Sequence, residues 1–163
     1  MLVAVATDAV VWGVWCVLAG WYQARRPLDA FRRAGPVTRL RRFERDGGWY
    51  ERWFRVRAWK DHLPEAGTWF GGVSKSHLPP GDRRTSLERF AAESLRAERT
   101  HWTVAALTPL FAIWNPFWFF LANVGFALAI NAPCIVVARF NRARIAALVG
   151  SGRASPTRSP RTR

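Results

Sequence analysis

Apolar and polar positions along this chain fall into long blocks rather than residue-by-residue alternation. Residues 2–22 are apolar apart from Asp8, and about twenty such residues in a helix cross a hydrocarbon core of roughly 30 Å. No basic stretch precedes them, as it would in a secretory signal, although Leu18-Ala-Gly has the look of a cleavage site. Arg25, Arg26, Arg32 and Arg33 follow directly. An excess of arginine flanks the cytoplasmic end of a span, so Met1 is expected outside and the arginines inside. Asp8 then lies near the outer end, where the expectation is a hydrated interfacial carboxylate.

The next block is mixed. Residues 27–36 read as a short connection between two prolines, and 37–46 are basic and amphipathic. Gly47 and Gly48 interrupt the pattern. In 49–61, Trp49, Trp53, Val56 and Lys60 share one helical face. This predicts an interfacial helix with tryptophan inserted and arginine facing anionic headgroups. Residues 62–84 are rich in glycine and proline and carry Lys75. A loop of that length is functional or disordered. Lys60, Asp61 and Lys75 are therefore candidates at its edge and middle. His77 and Asp82 have the spacing of a known acyltransferase pair, but two prolines separate them and the pattern carries little weight.

A helical pattern resumes at Thr85, which forms a capping box with Glu88. Leu87, Ala91, Ser94 and Glu98 share one stripe, so a carboxylate occupies an inward position. His101 lies three residues further, within side-chain reach of Glu98. From Thr103 the chain is apolar to Trp114, a run of about 18 Å as a helix and too short to span unaided. Asn115-Pro116 marks a turn, because the residue before proline avoids the helical region. Residues 117–138 are long enough to span but contain Asn123, Asn131 and Pro133, which belong against other helices rather than lipid. A hairpin, or a re-entrant arm followed by a full span, fits equally. Arg139, Arg142 and Arg144 place the far end in the cytoplasm. Residues 151–163 are a polar, basic tail that cannot build a core.

The block pattern predicts an all-α integral membrane protein with an N-terminal transmembrane helix, interfacial amphipathic helices and a C-terminal transmembrane hairpin. A single embedded domain covers 1–150, with helices near 2–22, 86–114 and 117–139. Composition sharpens this. The 163 residues carry a net charge of +14 and ten tryptophans. Aromatic rings beside apolar runs mark membrane interfaces. A soluble nucleic-acid binder would share the charge but not the apolar runs, so nucleic acid is not an expected partner. Cys16 and Cys134 lie in apolar runs without metal spacing and read as inert, and no metal is expected.

The order Trp49, Trp53 to Lys60, then Arg96-Ala-Glu with His101-Trp102, then Asn131-Ala-Pro133 with Arg139-Phe-Asn-Arg142-Ala-Arg144 resembles the glycosyl-4,4′-diaponeurosporenoate acyltransferases over about residues 45–145. The resemblance implies transfer of a fatty acyl group to a sugar hydroxyl of a glycosylated lipophilic acceptor such as a carotenoid glycoside. No cofactor is expected beyond an acyl donor such as acyl-CoA as co-substrate, membrane lipids are the expected surroundings, and the arginine distribution puts the basic loop and tail on the cytoplasmic side of the cell membrane. On these motifs, chemistry suggests His101 as general base, Glu98 as its orienter and Lys60 as oxyanion stabiliser. Asp61, Lys75, Arg96, Asn115, Asn131 and Arg142 are the candidate substrate-binding residues. Arg96 and Arg142 would hold donor phosphates, and Asn115 or Asn131 the sugar. The alternative is a non-enzymatic membrane protein that binds anionic lipid or a partner through its basic face.

Overall fold

A computed structural model describes residues 2–63 and 82–151. Lys75, His77 and nearly all of the basic tail lie outside the described residues. The regular structure of the described residues is helical, with no strand among them. Among the described residues there are five α-helices: α1 (Leu2–Arg25), α2 (Gly48–Phe54), α3 (Val56–Trp59), α4 (Arg83–Ala105) and α5 (Phe117–Ser151). Short 3-10 turns at Leu28–Phe31, Arg42–Gly47, Lys60–His62 and Thr108–Ile113 connect them.

The helices α1 and α5 are long and apolar enough to cross a membrane. Only 17% of the apolar window of α1 and 28% of that of α5 is buried within the protein. A core helix of a soluble protein would be mostly covered. Here Val10, Val14 and Val17 of α1, and Phe117, Trp118 and Leu128 of α5, are more than half exposed. Such broad apolar exposure suits a lipid environment and not water. The architecture is that of an all-α membrane protein.

The helix α4 begins three residues earlier than the Thr85 capping box suggests. Asp82 is the N-cap and accepts from the backbone N–H groups of Arg84 and Thr85 at 2.9 and 3.1 Å. Thr85 donates its hydroxyl to the same carboxylate at 2.6 Å. Glu88 pairs with Arg84 instead of closing a box. A short acid satisfies two orphan N–H groups at once, and so wins the cap. Asp82 thus has a structural task.

At its other end, α4 stops at Ala105 and does not run on to Trp114. Pro109 follows close behind, and the chain tightens into the 3-10 turn Thr108–Ile113. Asn115-Pro116 then reverses direction and α5 begins. The first arm of the hairpin is therefore short. Its apolar core joins Trp12 and Ala19 of α1 to Val104, Leu107 and Phe111, with Ala127 of α5.

The segment 37–61, expected as two amphipathic pieces separated at Gly47-Gly48, is interrupted there and once more at Arg55. Asp46, Gly47 and Arg55 all adopt positive φ. Gly47 is a position where only glycine fits without strain. Its φ is +78°, and a Cβ there would meet the Phe140 ring and the Arg144 side chain at 3.0 Å. The breaks fold the segment back onto α5, where Tyr50 and Val56 pack with Val137 and Phe140. Trp53 and Phe54 remain exposed on its outer face.

Candidate active site

The helix α4 packs along α5 and also against α1. The inward stripe of α5 is read at every fourth residue, as Asn123, Ala127, Asn131 and Ile135, all buried. The stripe of α4 carries Ser94, Leu95 and Glu98 inward. Polar side chains along α5 therefore meet partners at three levels.

At the Arg139 level lies an ionic cluster. Glu98 is fully buried, and its two oxygens bind different guanidinium groups. Arg139 reaches one at 2.6 Å, and Arg142 the other. Arg139 also grips both oxygens of Glu44 at 2.7 Å, which in turn accepts from the Tyr50 hydroxyl and the Arg41 backbone N–H. It completes its fork on the carbonyls of Val37 and Arg39. Two acids and two bases balance, so the cluster is neutral, as buried charge must be. Burial alone would raise the Glu44 carboxyl. The hydrogen bonds from Arg139 and Tyr50 outweigh it and hold the carboxyl below its usual range. Burial, and then the Glu44 carboxylate, push the Tyr50 phenol upward.

One level deeper, the Nδ1 of His101 lies 2.9 Å from the Oδ1 of Asn131. The amide of Asn131 has a fixed orientation because its Nδ2 donates to the Ala127 carbonyl at 2.9 Å. Its oxygen therefore faces the ring and can only accept. This makes Nδ1 the protonated nitrogen and leaves the basic lone pair on Nε2. Burial lowers the imidazole pKa below its ordinary 6.5, against the smaller opposing pull of the Asn131 bond. A neutral imidazole with an assigned tautomer is a general base. The carboxylate of Glu98 orients arginines and not His101. The two residues share a helix but sit in different networks.

The third level centres on Asp8. It is buried, not hydrated as the sequence suggests. It accepts from Trp114 Nε1 at 2.8 Å, Asn115 Nδ2 at 2.9 Å and Asn123 Nδ2 at 2.7 Å. Asn123 in turn accepts from Trp12 Nε1 at 2.8 Å. Asn115 is thus tied to a carboxylate, while its own Oδ1 is buried without a partner.

The remaining candidates are scattered. Arg96 pairs with Glu93 at 3.1 Å and stacks over Phe31, away from Glu98. Lys60 pairs with Asp61 at 2.6 Å. Lys60 lines a cleft beside Leu87 and Phe90, and His101 is not among the lining residues. Leu87 and His101 are fourteen residues apart on α4, about 21 Å along its axis. The fold does not bring Lys60 to His101. Sequence reasoning passed over Glu44, Tyr50, Trp12 and Asn123 as site members. For Glu44 one signal existed, an acid set within a strip of arginines. Among the described residues, no group of three or more His, Cys, Asp or Glu side chains is placed to hold a metal ion.

The class is that of an all-α membrane protein, with a half-buried, tautomer-fixed histidine one level from a buried ionic cluster. Comparison with known proteins makes it particular. The family profile of glycosyl-4,4′-diaponeurosporenoate acyltransferase matches residues 19–151. Proteins of that name from Staphylococcus aureus strains bovine RF122 / ET3-1 and USA300 are each 26% identical over 125 residues, covering 77% of this chain and 75% of theirs. No solved structure matches the chain. The chain belongs to the glycosyl-4,4′-diaponeurosporenoate acyltransferase family and is an acyltransferase. The non-enzymatic alternative is thereby set aside.

Proposed function

We propose that this protein is an integral enzyme of the cell membrane that esterifies a sugar hydroxyl of a glycosylated carotenoid acceptor with a fatty acyl group. In this reading the arginine-rich ends, the basic loop and the tail face the cytoplasm. The observation that carries it is the Asn131-oriented imidazole of His101, whose Nε2 has no hydrogen-bond partner among the described residues. Nε2 takes the proton from the sugar hydroxyl as its oxygen attacks the acyl carbonyl carbon. The tetrahedral intermediate then collapses, the bond to the donor's leaving group breaks, and the imidazolium returns the proton to that group. Asn131 plays the part that a carboxylate or amide plays in other acyl-transfer sites, holding the tautomer and stabilising the transient cation. Glu98, Arg139 and Arg142 hold α4 and α5 in register so that the pair meets.

The acceptor's long apolar part suits the exposed faces of α1 and α5, which lead from lipid to the His101 level. The test is acyl transfer to a glycosylated carotenoid in membranes, read as the ester by mass spectrometry. His101→Ala is expected to lose at least about 10²-fold in rate while the protein stays in the membrane. Full activity in that variant removes His101 as the base. Asn131→Leu is expected to lose rate in the same direction but less, because the imidazole survives without its orienter.

A further inference from the structure

The arginines that the sequence offers for donor phosphates are engaged elsewhere. Arg142 is held by Glu98 and Arg96 by Glu93. A different set of cations surrounds a cleft of about 310 Å³ between α3, the first turns of α4 and the last part of α5. Its rim carries Arg57, Lys60 and Arg144, and its floor is apolar, formed by Leu87, Phe90 and Ile145. Arg144 makes no ion pair among the described residues and lies over the face of the Phe140 ring at 6.0 Å. Arg57 has only a long approach to Glu51 at 4.0 Å, and both are well exposed. An exposed pair at that distance is worth little. Lys60 is paired with Asp61 at 2.6 Å, so the positive charge left over at the mouth of this apolar cleft is that of Arg57 and Arg144.

We propose that this cleft holds the phosphate-bearing end of the acyl donor. The inference rests on the acyltransferase reading given above and adds the donor subsite to it. Guanidinium groups bind phosphate oxygens by paired N–H donation, which suits Arg57 and Arg144 at the rim. The apolar floor takes the uncharged part of the donor next to its phosphate. The cleft lies about 21 Å along α4 from His101. A donor anchored here therefore carries its acyl carbon on an extended arm toward the imidazole, as a pantetheine thioester does. A phospholipid donor would present the same phosphate chemistry, with its ester close to the headgroup.

The experiment uses the full chain in detergent or nanodiscs. A long-chain acyl-CoA and an anionic phospholipid, phosphatidylglycerol, are titrated separately against intrinsic tryptophan fluorescence, for the wild type, Arg57→Gln/Arg144→Gln and His101→Ala. The double variant is expected to bind acyl-CoA about tenfold or more weakly, with a shallower salt dependence. Its helical circular dichroism should be unchanged, and Arg144→Lys should recover part of the affinity. In turnover, KM for the donor should rise while kcat stays near the wild-type value. His101→Ala should bind as the wild type does, so binding separates this subsite from the catalytic assignment. Weakening confined to phosphatidylglycerol makes the donor a lipid and keeps the subsite. Equal affinity of the wild type and the folded double variant for both probes overturns the proposal.

Discussion

Glu98 and Asp8 are both carboxylates buried between helices, yet they are satisfied by opposite means. Glu98 is matched by two guanidinium groups, with a second acid, Glu44, sharing Arg139. Asp8 has only neutral donors, one indole and two amides. The difference follows position. Arg139 and Arg142 lie where α5 leaves its apolar run, so their charged ends need not cross hydrocarbon. Asp8 and Asn123 lie within the two membrane-length helices, where an added cation is costly and N–H dipoles from tryptophan and asparagine serve instead. A buried acid therefore records its depth in the choice of partner. Charge pairing belongs to the end of the span, and dipoles belong to its interior.

The largest expected effect breaks the charged side of that contrast. Glu98→Ala leaves two buried guanidinium groups without their shared partner and is expected to cost about 3–5 kcal/mol. Thermal unfolding in detergent measures it, and Glu98→Gln should fall close behind, because the amide keeps the shape but not the charge. At Asp8 the two substitutions should separate. Asp8→Ala strands three donors and is expected to cost about 2–3 kcal/mol, whereas Asp8→Asn keeps an acceptor oxygen and should cost about 1 kcal/mol. If Asp8→Asn proves as damaging as Glu98→Gln, partner type does not distinguish the two sites.

Smaller effects sharpen the comparison where the broken 42–62 segment meets α5. Gly47→Ala places a Cβ at 3.0 Å from the Phe140 ring and the Arg144 side chain at φ +78°. The expected cost is about 1–3 kcal/mol, readable as a lowered midpoint. Acidification should act on the ionic cluster through Glu44. Its carboxyl is held below the usual 4.5 in the folded state. The unfolded chain therefore binds more protons near that pH, so the stability contributed is present above 4.5 and lost as pH falls through the folded value. Asp8→Asn should leave this loss in place, and Glu44→Gln should flatten it. Activity should respond separately. The imidazole of His101 is pushed below 6.5, so the acid limb of kcat/KM should have its midpoint below that value. An acid limb above 6.5 would mean that a carboxylate, and not Asn131, faces the ring.

Much of this arrangement is legible along the chain. The two long apolar runs, the arginines that follow them and the turn at Asn115-Pro116 all appear as α1, α5 and the hairpin between α4 and α5. The stripe through Ser94 and Glu98 puts the acid inward, and it is inward. Local spacing is enough for these, because a helix fixes which residues share a face before any partner is known. The interruption at Gly47 is read from the glycine pair, whereas the helix start at Asp82 and the further break at Arg55 are harder to read. A nearby acid competes with Thr85 for the same N–H groups, and the breaks serve packing against α5, which is remote in sequence.

Partner choice is decided in three dimensions alone. By spacing, His101 is a neighbour of Glu98, but the rotation of α5 against α4 brings Arg139 and Arg142 to the carboxylate and Asn131 to the imidazole. Packing of α1 against the hairpin draws Asp8 across more than one hundred residues to Asn115 and Asn123. The chain by itself determined that these side chains would be polar and turned inward. Which of them meet depends on the relative rotation and height of two packed helices, set by the summed contacts of every residue between them and by no local signal.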